Sequence, residues 1–169
     1  MTNYRNYDDG TMIEKIKNHY PRAIKKKCCE QQCALNLTGI GKHVVLKGEL
    51  LVPKNLPTKP KICDCLVFSL DNRLRISVVE LKSRSNDWAS VKEQLIGGRE
   101  HAYKILKKIN PNTTSEIVMV WLTKRRTNSI VTLLKKSICI NNERYYVQYR
   151  NCKSSLKSIL DNYSLLYNS

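Results

Sequence analysis

The sequence lacks the features that would place the protein in a membrane or outside the cell. Its 169 residues contain no run of 18 apolar residues, the length that a bilayer-spanning helix requires. Residues 1–10 are polar, include Asp8 and Asp9, and have no apolar stretch of the kind found in a secretory signal. We therefore expect an intracellular protein that is neither secreted nor bound to a membrane.

Acidic residues are scarce relative to basic ones, because 14 Asp and Glu oppose 30 Lys and Arg and leave a formal net charge of +16. Such an excess predicts a polyanionic partner, and nucleic acid is the first candidate. An anionic membrane surface is the second, but no segment combines a basic face with a Trp, Phe and Leu face over many turns. The side chains expected to contact phosphates are Lys25, Lys26, Lys27, Arg84, Arg99, Lys124, Arg125 and Arg126.

The seven cysteines include no Cys-x-x-Cys pair, and their odd number in a chain without a secretory signal argues against a disulfide framework. Cys29, Cys33, Cys63 and Cys65 would bind zinc only if the helix predicted for the first two packed on the strand that carries the others. Free buried cysteine is the commoner arrangement. We expect neither zinc nor an iron–sulfur cluster, and a helix-to-strand disulfide is the remaining alternative.

Apolar spacing and turn residues divide the chain into helices and strands. Helices are predicted at 11–20, 22–37, 85–109 and 156–167, strands at 43–52, 61–70, 73–82 and 116–122, and a hairpin around Asn141-Asn142. Gly97-Gly98 would cost the third helix about 1 kcal/mol each relative to Ala, which suggests close approach to a sheet or ligand, or simply tight packing. The order predicts an α/β fold in which helices flank a mixed central sheet.

Two carboxylates and a lysine stand out in the second and third predicted strands. Glu80 and Lys82 are two residues apart and share one face of a strand, and a hairpin can bring Asp64 beside Glu80. Carboxylates in such apolar strands are costly to ionise unless a cation pairs with them. Mg²⁺ favours one or two carboxylates together with water and phosphate, and Lys82 would orient a water or stabilise phosphate charge. The alternative is a solvated sheet face with an ordinary ion pair.

Three segments, Cys63-Asp64, Glu80-Leu81-Lys82-Ser83 and Lys92-Glu93-Gln94-Leu95, resemble the motifs of the PD-(D/E)XK nuclease superfamily. The nearest branches are archaeal-type Holliday junction resolvases and RecB-like nucleases. The resemblance implies a restriction-endonuclease-like core in the order α-β-β-β-α-β. Within a single domain, this core would occupy residues 22–122, after an N-terminal extension (1–21) and before a C-terminal β/α elaboration (123–169).

The resemblance also implies roles for individual residues. Asp64, Glu80 and the Leu81 carbonyl would bind Mg²⁺ or Mn²⁺, Lys82 would be the catalytic lysine, and Gln94 would help to place the lysine, water or phosphate. An additional acid is often found on the first helix of the family, where Glu30 fits best and Glu14 and Glu49 are rivals. Two departures are that Cys63 replaces the motif's proline and that Tyr103 does not complete the RecB-like Q-x-x-x-Y pattern.

The function that the resemblance implies is a Mg²⁺-dependent endonuclease that hydrolyses DNA phosphodiesters, with branched or structured DNA among the candidate substrates. Members that cut two strands act as dimers, so a homodimer is expected. Two alternatives stay open at this point. One is a nucleic-acid-binding protein that keeps the fold without cutting, and the other is an RNA nuclease.

Overall fold

Three antiparallel strands rich in Val, Ile and Leu form one half of the central sheet. The computed structural model describes residues 9–82, 87–124 and 137–167. Its α-helices are α1 (Asp9–His19), α2 (Trp88–Ile109) and α3 (Leu156–Tyr167). Its strands are β1 (Ile24–Lys25), β2 (Cys29–Glu30), β3 (Cys33–Ala34), β4 (Lys42–Lys47), β5 (Cys65–Leu70), β6 (Leu74–Lys82), β7 (Glu116–Thr123), β8 (Ser137–Ile140) and β9 (Glu143–Asn151).

The sheet is mixed, as the sequence predicted. Seven strands follow the order β1-β4-β5-β6-β7-β9-β8, while β2 and β3 form a separate hairpin. Strands β4, β5 and β6 pair antiparallel, whereas β7 lies parallel to both β6 and β9. The hairpin predicted between β5 and β6 is confirmed, with its turn at Asp71-Asn72. The α/β class is confirmed, because helices cover this sheet.

Each face of the sheet carries its own apolar core. On the first face, α1 and α2 pack through Ile13, Ile16, Val91 and Leu95 onto the inward side chains of β5 to β7. On the second face, the β2–β3 hairpin and α3 cover Val67, Val79 and their neighbours. The side chain of Asp87 caps α2 by accepting a hydrogen bond from the Ser90 N–H at 3.3 Å, which agrees with the predicted helix start.

The helix predicted over 22–37 is wrong. A 3-10 turn at Pro21–Ala23 leads into β1, and a two-strand hairpin follows at β2 and β3. Gln31 closes this hairpin with a left-handed backbone, φ 51°, which a helix cannot contain. The first helix of the fold is instead α1, which lies within the segment expected to be an extension and buries Ile13 and Ile16 completely.

Two disulfides join the β2–β3 hairpin to the rest of the protein. Cys28 pairs with Cys65 at the start of β5, and Cys33 pairs with Cys152 just after β9. The expectation of free cysteines is therefore wrong for these four. The four cysteines considered as zinc ligands do not form a site, because Cys33 and Cys65 belong to different disulfides. Such bonds persist in oxidising environments and point to a non-reducing compartment. Intracellular location stays a prediction.

Cys63 and Cys65 lie on opposite sides of the sheet, although the alternation of side chains in a strand would put residues two apart on one face. In the structure the chain turns at Asp64, so Cys63 packs in the first core and Cys65 in the second. Cys63 is buried and unpaired, while Cys29 and Cys139 are exposed thiols. Within the described ranges, no helix is long and apolar enough to cross a bilayer.

Candidate active site

The predicted carboxylates and lysine meet at one end of the central sheet. The register aligns Lys47 at the end of β4 with Cys65, and Cys65 with Val79. One residue further on β6, Glu80 lies opposite Trp121 of β7. Strands β4, β6 and β7 end here and β5 begins here, with Glu80 on the face of Trp121 and Lys47 on the opposite face, that of Cys65 and Val79. Asp64, at the start of β5, interacts with charged groups of both faces.

Asp64 is fixed by two backbone hydrogen bonds just before β5. Its Oδ2 accepts the Leu81 N–H at 2.7 Å, and its main-chain carbonyl accepts the Gly48 N–H at 2.8 Å. The backbone hydrogen bonds between β5 and β6 stop at the pair Cys65 and Val79. The carboxylate of Asp64 then accepts the Leu81 N–H in place of a backbone carbonyl. The predicted proximity of Asp64 and Glu80 is thereby accounted for, since Leu81 follows Glu80 directly.

Glu80 is a fully buried carboxylate, with an exposed fraction of 0%. Its Oε1 lies 2.7 Å from Lys82 Nζ, yet among the described residues neither carboxylate oxygen makes a hydrogen bond of regular geometry. Burial, followed by the charge of Asp64, raises the pKa of Glu80 to about 7, although Lys82 opposes the shift. The ion pair with Lys82 therefore recovers only part of the cost of burial.

Aromatic rings form the wall that keeps water from Glu80. Trp121 is its neighbour on the same face of the sheet and is itself 1% exposed. The ring of Trp121 packs against Trp88 at the start of α2, with centroids 6.0 Å apart, and against Tyr149 of β9 at 4.7 Å. A carboxylate beside such a wall loses hydration, which is the physical origin of its raised pKa.

Asp64 experiences opposing influences from the same cluster. Burial raises its pKa most, and the charge of Glu30 adds to this. The Leu81 N–H and the charges of Lys47 and Lys82 lower the pKa, but the net shift is upward. Two neighbouring carboxylates whose ionised forms are both disfavoured make a site where an added cation would be stabilised.

A second ion pair, between Glu30 and Lys47, borders Asp64. Glu30 belongs to β2, and its Oε2 contacts Lys47 Nζ at the end of β4. Glu30 is the residue expected to be the additional acid, and its charge acts on Asp64, although it reaches this position from a hairpin and not from the predicted helix. Of the rivals, Glu14 lies elsewhere, exposed on α1 and paired with Lys17 at 3.0 Å. Glu49 is exposed beside the site, where its charge acts on Lys47.

Lys47 is the site residue that sequence reasoning missed. Its side chain is 16% exposed, so burial lowers its pKa, but the bond to Glu30 and the charges of Asp64 and Glu49 raise it overall. The residue therefore stays cationic beside Asp64. A signal was present in the sequence, since Lys47 ends an otherwise apolar strand, but only the pairing of β4 with β5 gives that position meaning.

The other residues implied by the resemblance are placed less directly. Gln94 is half-buried on α2, and its Oε1 accepts a hydrogen bond from Ser90 Oγ at 3.3 Å. Among its described hydrogen bonds, none joins it to Asp64, Glu80 or Lys82. For Leu81, the atom that the structure brings to the site is the N–H that binds Asp64.

The basic residues expected to contact nucleic acid fall into three groups. Lys25, Lys26 and Lys27 are exposed, and Lys124 is exposed at the same end of the sheet as Lys82, where it contacts Gln32. Arg99 is buried: it binds Glu143 at 2.9 Å and lies between the rings of two tyrosines, so its position is internal. Arg84, Arg125 and Arg126 lie outside the described residues.

Three glycines allow the chain to reach Asp64. A Cβ at Gly48 would lie 1.8 Å from the Cys63 carbonyl oxygen, and one at Gly97 would lie 1.9 Å from the Lys61 carbonyl oxygen. At Gly98 a Cβ would meet Cys63 Sγ at 2.4 Å. Gly97 and Gly98 thus pack closely against the segment that leads into Asp64, and at Gly98 a Cβ would also lie 2.5 Å from the Val78 side chain of β6 in the sheet.

Asp64 and Glu80 form a pair of carboxylates and not a larger cluster. Across residues 9–82, 87–124 and 137–167, no group of three or more His, Cys, Asp or Glu side chains is arranged to hold a metal ion. Mg²⁺ needs few protein ligands because it keeps several waters and binds substrate phosphate. A buried Glu80 whose oxygens lack regular hydrogen bonds among the described residues, next to a half-buried Asp64, fits this ion. Comparisons with protein-family models, curated proteins and solved structures found no match to this chain.

Proposed function

We propose that the protein is a metal-dependent nuclease that hydrolyses phosphodiester bonds of nucleic acid, with DNA as the first substrate to test. The observation that supports this most is the carboxylate of Glu80, which is fully buried, lacks regular hydrogen bonds among the described residues and adjoins both Asp64 and Lys82. A purely structural ion pair would gain little from such burial, because the desolvation cost exceeds what one lysine returns.

Asp64 and Glu80 would hold Mg²⁺ or Mn²⁺, which supplies charge stabilisation for the phosphate and lowers the pKa of water when bound. The Leu81 N–H holds Asp64 in place through a 2.7 Å hydrogen bond, so the carboxylate is preorganised. We assign to Lys82 the task of donating hydrogen bonds to the attacking water or to a phosphate oxygen. Gln94 would orient these groups from α2.

Glu30 and Lys47 would adjust the net charge next to Asp64. Glu30 adds a third negative charge near Asp64, and Lys47 neutralises it while the site is without substrate. When a phosphate enters, the ammonium of Lys47 offers a second positive group toward it. The resemblance also implies a homodimer, which we retain as part of the proposal because cutting two strands requires two sites.

The test is a cleavage assay on plasmid, four-way junction, single-stranded DNA and RNA, with Mg²⁺ or Mn²⁺ and with EDTA. We expect cleavage only with metal, and Lys82→Ala should lower the rate about 10²–10⁴-fold, the usual contribution of a proton-transfer or positioning group. Glu80→Gln should abolish cleavage, and Gln94→Ala should weaken it less than either. Glu100→Gln, an exposed change on α2, is the matched control.

The same assay separates the proposal from its rivals. Cleavage that persists in EDTA, or wild-type activity in Glu80→Gln, would show that the site lies elsewhere. Tight binding without cleavage of any substrate would favour the non-cleaving nucleic-acid-binding protein, an alternative supported by the absence of a three-ligand cluster among the described residues. Cleavage of RNA alone would identify an RNA nuclease.

A further inference from the structure

A long exposed loop leaves and re-enters the fold at the candidate active site. It spans residues 49–63, begins within the Gly48–Leu50 turn and ends just before Asp64, and every residue from 53 to 61 is exposed. Pro53, Pro57 and Pro60 divide the loop into short pieces, and the ring of each proline fixes its own φ near −65°. The loop is therefore stiff for its length, and we refer to residues 49–63 as the proline–lysine loop.

Both ends of the proline–lysine loop are fixed next to Asp64. The Gly48 N–H donates to the Asp64 carbonyl at 2.8 Å, which closes the loop at its base. The returning segment is wedged between the Gly48 turn and α2, where Gly48 and Gly97 leave room for the Cys63 and Lys61 carbonyls. Loops of this kind, with adjacent ends and an exposed body, are frequently functional.

The charge of the loop is positive and largely uncompensated. It carries Lys54, Lys59 and Lys61 against a single acid, Glu49. Lys61 is bound to Glu93 on α2. Lys54 and Lys59 are exposed and have no partner among the described residues. Two unpaired ammonium groups on a stiff loop next to Asp64 make this surface complementary in charge to a polyanion.

We propose that the proline–lysine loop is a docking surface for the phosphate backbone of the nucleic acid that is cut at Asp64 and Glu80. This inference rests on the proposed function. Lys59 precedes Asp64 by five residues, so their Cα atoms are at most about 17 Å apart. Phosphates follow one strand of a duplex at about 3.4 Å of axial rise, which puts Lys59 within roughly five nucleotide steps of the scissile bond. The loop thus holds the substrate to one side of the cut.

The experiment compares two double variants that remove the same charge from different places. Lys54→Ala/Lys59→Ala acts on the loop, and Lys104→Ala/Lys107→Ala removes two exposed lysines from α2. Binding to a duplex is measured in EDTA from low to moderate salt, so that no cleavage occurs. Each lost phosphate contact should reduce the slope of log K against log salt by about 0.9, so the loop variant should be shallower by about 1.8 while the control keeps the wild-type slope.

The outcomes distinguish this inference from the proposed function. Equal slopes for the loop variant and the wild type, or equal losses in both double variants, would overturn the docking surface even if the protein cleaves DNA. A shallower slope for the loop variant alone supports it even if no cleavage is found, in which case only the proposed function fails. A loop variant that loses binding to phosphatidylserine vesicles but keeps the duplex slope would also overturn it, in favour of a membrane surface.

Discussion

Replacing Glu80 with Gln should stabilise the metal-free protein and remove its response to metal. Burial and the charge of Asp64 raise the pKa of Glu80 from 4.5 to about 7. Between these two pH values the unfolded chain has released the proton and the folded chain still holds it. The folded state then binds more protons than the unfolded state, so the free energy of unfolding falls as the pH rises through this range. The stability that the protonated form of Glu80 provides is complete below pH 4.5 and is lost by about pH 7.

The magnitude follows from that shift. A pKa that is higher by about 2.5 in the folded state corresponds to roughly 3 kcal/mol of the free energy of unfolding. The wild-type protein has lost this stability at pH 8, whereas the Glu80→Gln variant keeps it because Gln is neutral at every pH. For a chain of this size 1 kcal/mol moves the melting temperature by about 2–4 °C, so the variant should melt about 6–12 °C higher at pH 8 in EDTA. At pH 4 the two proteins should melt together.

The assay is thermal unfolding by circular dichroism across pH 4–8, with and without Mg²⁺. Metal should raise the melting temperature of the wild type at pH 8, because it binds the ionised pair, and should leave Glu80→Gln unchanged. Glu100→Gln controls for the loss of an exposed charge. A variant that melts no higher than the wild type at pH 8 would refute the claim that ionised Glu80 is costly in the folded state.

Two further predictions concern how the site is held together. Gly97→Ala should reduce metal affinity measured by thermal titration, because its methyl group would displace the chain before Asp64. Ala89→Gly is the control, because it costs α2 about 1 kcal/mol of stability and should leave metal affinity intact. Equal losses of metal affinity in the two variants would contradict a role of Gly97 in positioning Asp64. Cys28→Ser should lower the free energy of unfolding in urea by about 2–4 kcal/mol and weaken metal binding by releasing Glu30, whereas Cys139→Ser should do neither.

Elements whose signals are local could be predicted from the sequence. The β5–β6 hairpin follows from two apolar runs around Asp71-Asn72, and α2 follows from its cap at Asp87 and helical apolar spacing. The alternation of side chains in a strand also put Glu80 and Lys82 on one face, where they form an ion pair. Each of these inferences needs only residues close together in the chain.

What the sequence could not supply depends on distant contacts. The β2–β3 hairpin is joined to the rest of the fold by bonds to Cys65 and Cys152, and no pattern within residues 22–37 encodes those partners. Lys47 enters the site only because β4 pairs with β5 in a particular register. Strand register and disulfide pairing are long-range properties, so the composition of the site beyond Asp64, Glu80 and Lys82 required the structure.

The position of β9 has a consequence for how the chain assembles during synthesis. β9 lies between β7 and β8, and the segment after it bonds Cys33, pairs with Asn36 and supplies α3 to the second core. A ribosome would therefore release β4 to β7 together with the β2–β3 hairpin, but well before α3 can complete the cover of the second face. Apolar residues of that face, such as Val67 and Val79, would stay partly open until about residue 160 emerges, which makes the growing chain a candidate for chaperone binding.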